Sequence, residues 1–163
     1  MRYYIAQRGV LSATNRVDEY RKKETRQGLG EPETYARLSA RIDQSRNELT
    51  ALLHRLKREG KRTVGYAATS KSTTMLNYCG IGPDLLEFIC DTTPMKQGKF
   101  TPGTHIPVRS HQAFQRQYPD YALLLAWNHA AEIAEKEQAF CEAGGRWITY
   151  VPKVSVLEAA VGR

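Results

Sequence analysis

Cysteine is scarce in this chain, and so are long hydrophobic runs. Among 163 residues the three cysteines, Cys79, Cys90 and Cys141, are odd in number and far apart. They form no C-x-x-C pair and no Cys/His cluster at zinc spacing, which argues against a disulfide framework and against a zinc site. They read as reduced, mostly buried thiols. Mean hydropathy is negative, and no apolar stretch approaches the roughly 18 residues needed to cross a bilayer. The start lacks an apolar signal stretch with a small-residue cleavage site. The expectation is a cytoplasmic protein with no membrane partner and no bound metal.

Acidic residues are also in deficit, with a net charge of +7. The excess is confined to residues 1–62, which hold 15 Lys+Arg against 8 Asp+Glu, whereas residues 63–163 hold 9 of each. A nucleic-acid footprint needs its cations on one face, with stacking aromatics or a reading helix. Here they are scattered along a linker and a helix, so a solvated face is the better reading and no nucleic-acid partner is expected.

What is present divides the chain at about residue 62. Met1 to Arg8 has the bulky and β-branched texture of a short strand. Residues 12–31 are polar and charged, suited to an exposed linker or a mobile helix. From Glu33 to Glu59 the positions Tyr35, Leu38, Ile42, Leu49, Leu52, Leu53 and Leu56 recur at helical spacing, with Gly60 placed to end the helix. This narrow stripe suits packing on the sheet, on a neighbouring helix or on a second copy, so a homodimer through the long helix is one expectation.

Beyond Arg62 strands and helices alternate. Strands are predicted over Thr63–Ala67, Leu85–Cys90, Tyr121–Ala126 and Trp147–Val151, and helices over Thr73–Tyr78, Ser110–Gln117 and Ala130–Ala143. A long loop runs from Thr92 to Pro107. The pattern predicts an α/β, Rossmann-like domain over residues 63–163, with a mostly parallel sheet and helices on both faces. Residues 1–62 would precede it as a short strand, linker and long amphipathic helix within the same unit.

Ligands of such sheets bind at the carboxyl ends of strands. Gly65-Tyr66-Ala67-Ala68-Thr69-Ser70-Lys71-Ser72 comes within one residue of the phosphate loop G-x-x-x-x-G-K-[ST]. Ser70 stands where that motif needs a glycine, and Gly65 falls inside a predicted strand, so a nucleoside triphosphatase is the lesser reading. Thr69, Ser70, Lys71, Ser72 and Thr73 still place hydroxyls, an ammonium and helix-start amides together, which suits an anion. Against this stands the plain alternative that Ser72 or Thr73 caps the helix while Lys71 points into water. Asn77 and Tyr78 lie within reach of a nucleoside. The long loop offers Lys96, Lys99, Thr101, Thr104 and His105. His105 is a candidate general base, weighed against a structural role beside the prolines. Asn128, after the third strand, is a further ligand candidate.

Four segments, Gly65 to Thr73, Leu76 to Gly82, Lys96 to Pro107 and Leu123 to Asn128, closely resemble in order and spacing the C-terminal domain of the sugar C-methyltransferase family. The resemblance covers nearly the whole chain, the opening Met1 to Ala6 included. It implies a three-part enzyme in which a zinc module and an S-adenosylmethionine domain precede a Rossmann-like domain that helps to hold a nucleotide-linked keto-deoxysugar of the thymidine diphosphate type. This chain is similar to that last domain alone. By that resemblance it binds no cofactor itself and works with an upstream methyltransferase domain in cis or in trans. Thr69 to Thr73 with Lys96 would then contact phosphate or sugar, Asn77 and Tyr78 the nucleoside, and Thr104 and His105 the rim. The alternatives are a phosphate-loop nucleotide binder and a non-catalytic dimerisation or partner-docking domain.

Overall fold

The computed structural model describes residues 4–12 and 14–157. They fall into two compact units, residues 1–42 and residues 43–163.

In the first unit, helix α1 spans Asn15–Arg26, where a linker or mobile helix was expected. Its Arg, Lys and Glu residues are good helix formers, and the left-handed φ of +66° at Gly28 ends the run. Helix α2, Pro32–Arg58, belongs to this unit up to Ile42 and to the second from Asp43; it starts with proline in its first turn, where the missing amide costs nothing. The strand expected over Met1–Arg8 is not found. Tyr4–Gln7 have no regular structure and a turn begins at Arg8, while Met1–Tyr3 lie outside the described residues.

In the second unit the strands are β1 (Thr63–Tyr66), β2 (Ile89–Cys90), β3 (Val108–Arg109), β4 (Tyr121–Leu124), β5 (Arg146–Thr149) and β6 (Ser155–Leu157). They form one sheet of order β3-β2-β1-β4-β5-β6. All neighbours pair in parallel except β5 with β6. The order therefore reverses at β1, as in doubly wound nucleotide-binding sheets.

Alternation along the strands sorts side chains to two faces. Ile89, Leu123 and Ile148 face one way, against Leu49, Leu53 and Leu56 of α2 and Leu76 of α3 (Ser70–Cys79). Val64, Tyr66, Leu124 and Trp147 face the other, against Phe114 of α4 (His111–Arg116) and Phe140 of α6 (Gln138–Glu142). Phe114, Phe140, Trp147 and Tyr66 form a cluster of edge-on and tilted rings with centroids about 5 Å apart, a favourable aromatic arrangement. The expected helix-covered α/β sheet is thus the fold.

Several boundaries differ from expectation. The helix expected over Ala130–Ala143 is interrupted at Glu137, which separates α5 (Ala130–Lys136) from α6. The carboxylate of Glu137 is buried, with one oxygen 2.7 Å from both Tyr66 Oη and His111 Nε2. A buried carboxylate needs such partners, and α5 gives way to provide them. The strand expected over Leu85–Cys90 pairs regularly only at Ile89–Cys90, because Gly82 to Leu85 close a turn first. Helix α3 begins at Ser70, three residues earlier than expected. Strands β3 and β6 carried no expectation.

Gly65 lies in the middle of β1, and a Cβ there would come within 2.7 Å of Ile89 Cγ1 and 3.2 Å of Leu125 Cδ1. Gly65→Ala is expected to cost about 1–3 kcal/mol by overpacking. Urea denaturation checks this, and an unchanged midpoint would show that the two strands part without cost.

Candidate ligand site

The loops that leave β1 and β2 build the site. After Tyr66, Ala67 takes a left-handed φ of +71°, which turns the chain out of the sheet and into α3. Thr69 is the N-cap: its Oγ1 accepts from the Ser72 amide at 3.1 Å, and Ser72 Oγ accepts from the Thr69 amide at 3.0 Å. This reciprocal box consumes Ser72, which is fully buried. The Ser70 and Lys71 amides keep no protein acceptor among the described residues. The positive end of the helix is therefore open there.

Asp91, which follows β2, ties this loop to the next. Its carboxylate is buried and accepts from the Ala68 amide at 2.8 Å, the Thr93 amide at 2.8 Å and Lys96 Nζ at 3.1 Å. Lys96 Nζ also donates to the Ala68 carbonyl at 2.7 Å. Burial pushes the Asp91 carboxyl upward, but the Thr93 donors and the Lys96 ammonium together outweigh it and hold the group below the usual value. In the sequence Asp91 stands out only as an acid ending a hydrophobic strand, the place of a metal-binding aspartate in a phosphate-loop protein; its role as a clasp between loops was not foreseen.

Between the two loops lies a cavity of about 260 Å³, lined by Thr69, Ser70, Ser72, Thr73, Lys96 and Lys99 together with Phe100 and Thr101. The Lys99 side chain is exposed and makes no hydrogen bond or salt bridge among the described residues, and Phe100 is 63% exposed. The cavity thus combines free helix amides, hydroxyls, a free ammonium and an exposed ring.

The other sequence candidates are placed variously. Lys71 lies outside this cavity: its Nζ donates to Asn128 Oδ1 at 3.0 Å and stands 5.3 Å from the centre of the Trp127 ring. That pair bridges the segments following β1 and β4, where the strand order reverses. Asn77 Nδ2 donates to the carbonyls of Thr73 at 2.8 Å and Pro102 at 3.0 Å. It packs so closely on Gly103, whose φ is +80°, that a Cβ there would lie 2.0 Å from Asn77 Oδ1. Asn77 therefore anchors the long loop. Thr104 Oγ1 bonds Thr101 Oγ1 at 2.7 Å. Tyr78 donates to Asp43 under the Arg46 guanidinium, on the α2 side of α3. His105 is exposed, with φ +54°, and its ring has no hydrogen-bond partner among the described residues.

Two nucleotide modes fail on this geometry. The glycine that begins the near phosphate loop, Gly65, is buried inside β1. A dinucleotide site needs a glycine-rich turn after the first strand and an acid after the second that is free for ribose, whereas the turn is Ala67-Ala68-Thr69 and Asp91 already serves three protein donors.

Fold and site define a doubly wound α/β domain with an anion-suited helix start after its first strand. Residues 1–152 match the C-methyltransferase C-terminal domain, and the chain belongs to that family. It is 39% identical over 143 residues to the C-methyltransferase NovU of Streptomyces niveus, a match covering 88% of this chain and 34% of that protein. The chain spans about a third of the length of this relative.

Asp91→Asn is expected to destabilise the domain by about 1.5–3 kcal/mol at pH 7, through loss of charge-assisted bonds. Because the native carboxyl is held below its ordinary value of 3.8, its contribution is complete above that value and lost as pH falls through the lowered one. The gap between wild type and variant should therefore close on acidification, which denaturation at stepped pH measures.

Proposed function

We propose that this domain holds the diphosphate of a nucleotide-linked keto-deoxysugar, of the thymidine diphosphate type, for methyl transfer from S-adenosylmethionine bound by a methyltransferase domain in cis or in trans. The observation that carries this reading is the open start of α3 facing a cavity that also holds the unpaired Lys99. Helix amides and an ammonium with no internal partner are the groups that a diphosphate recruits. Ser70 and Thr73 add hydroxyl donors, and the exposed ring of Phe100 offers a face on which a base can stack. Lys96 sets the wall rather than the charge, since its ammonium is shared between Asp91 and the Ala68 carbonyl. Lys71 and Asn128 form a second polar pair for the sugar side.

In the proposed reaction a base removes the proton beside the sugar ketone, and the enolate carbon takes the methyl group, releasing S-adenosylhomocysteine. No carboxylate or imidazole among the described residues lines the cavity, so its part in this chemistry is binding and orientation, with the base supplied by the partner domain. Calorimetric titration with a thymidine diphosphate sugar should show binding that weakens by about tenfold in Lys99→Ala, one charge-assisted contact being worth roughly 1.5 kcal/mol. Absence of heat with the sugar nucleotide, alongside binding of ATP, would sink the proposal in favour of a nucleoside triphosphate at the α3 start.

A second role rests on α2. Tyr35, Leu38 and Ile42 follow helical spacing and are 43–54% exposed, a stripe suited to docking the methyltransferase domain or a second copy. Leu38→Glu with Ile42→Glu should abolish association on sizing columns while leaving nucleotide-sugar affinity unchanged; association that persists removes this role.

A further inference from the structure

A second cavity, of about 300 Å³, opens beside the ends of β1 and β2 and is separate from the site above. Its floor is apolar, made by the Tyr66 ring, Cys90, Ala126 and Ile133. Burial pushes the Cys90 thiol up to about 12 and raises the Tyr66 phenol further, so both stay neutral. Ala67 lines this cavity and Ala68 the other. The left-handed backbone of Ala67 is therefore a strained non-glycine conformation kept at the wall between them.

Behind two of its lining residues, Tyr66 and His111, lies a buried carboxylate that is not itself part of the lining. Glu137 is 3% exposed, and one of its oxygens engages both Tyr66 Oη and His111 Nε2 at 2.7 Å. A carboxylate on one ring nitrogen fixes the orientation of a histidine and leaves the other nitrogen for a ligand. Here Nε2 faces the Glu137 carboxylate and no protein group among the described residues engages Nδ1, which in the neutral ring is an acceptor. The rim carries acids and bases together, Asp91 and Glu132 beside the Lys136 ammonium and the His129 imidazole. The diphosphate cavity, by contrast, has Lys96 and Lys99 and no acid. A balanced rim over an apolar floor gives an anion no advantage. It suits a neutral ring whose C–H face lies on the floor and whose hydroxyls meet the rim.

We propose that this cavity is a second ligand site, taking a neutral hydroxyl-bearing ring of furanose or pyranose size, with His111 Nδ1 accepting a ligand hydroxyl and Glu137 positioning His111. A nucleoside and a free monosaccharide both supply such a ring. The inference stands apart from the diphosphate assignment, since the two cavities share no lining residue.

The test is a pair of NMR titrations of the 163-residue chain, one with thymidine and one with glucose. Saturable shifts at Ala67, Thr92 and the His111 ring are expected with at least one compound, and which one identifies the source of the ring. His111→Ala, and the size-matched His111→Gln should the first fail to fold, should each weaken binding by about tenfold. Glu137→Gln should weaken binding and also redistribute the two His111 nitrogen signals, a change that general destabilisation does not produce. Lys99→Ala should leave these shifts intact. Absence of saturable shifts with both compounds, or unchanged affinity in the His111 variants, overturns the proposal. Retained shifts in a protein that ignores nucleotide sugars overturn the diphosphate reading alone.

Discussion

The Asp91 carboxylate is the contact on which the carboxyl edge of the sheet depends. Strand order reverses at β1, so the connections leaving β1 and β2 need something to hold them in register. Asp91 supplies it with three donors from both connections, and Lys96 closes the ring on the Ala68 carbonyl. A buried carboxylate with that many donors is held in one place. The start of α3 is thereby fixed, and its free amides are presented at a defined point.

The same clasp separates two environments. On one side the groups left unpaired are an ammonium and helix amides; on the other, acidic and basic side chains share the rim around an aromatic and aliphatic floor. The difference follows from the two faces of the sheet. One face is covered by aliphatic residues of α2 and α3. The other is packed with aromatic rings and must accommodate the phenol of Tyr66, whose hydroxyl requires an acceptor once buried. Glu137 is that acceptor, and interrupting the helix between α5 and α6 is what it costs.

Much of this architecture was legible in the chain. The alternation of short apolar runs with helical patterns after Arg62 was enough for a helix-covered parallel sheet, because strands buried on both faces and amphipathic helices leave distinct periodicities. Four motif segments pointed to the C-methyltransferase C-terminal domain. What escaped were elements whose stability is not local. The two-residue strand β3 is held by β2 on one side, with Gly98 and Lys99 bonding its far edge, and none of this shows in Val108-Arg109 alone. The break at Glu137 was invisible because Glu and Gln are good helix formers, and only the distant Tyr66 and His111 give that carboxylate a reason to turn inward. In the other direction, the β-like texture of Met1 to Arg8 found no partner strand from Tyr4 onward.

By itself the sequence determined the class of fold and the family, since each is written in residues close together along the chain, and it put a helix after β1 that begins three residues too late. The tertiary structure alone decided which candidates are free to meet a ligand. Lys71 and Lys96 are both lysines near one loop, yet one is bonded to Asn128 and the other to Asp91, while Lys99 is left unpaired. Asn77 became a loop anchor and Tyr78 a partner of Asp43. The physical reason is that a polar side chain's availability depends on its spatial neighbours, and these come from segments tens of residues away.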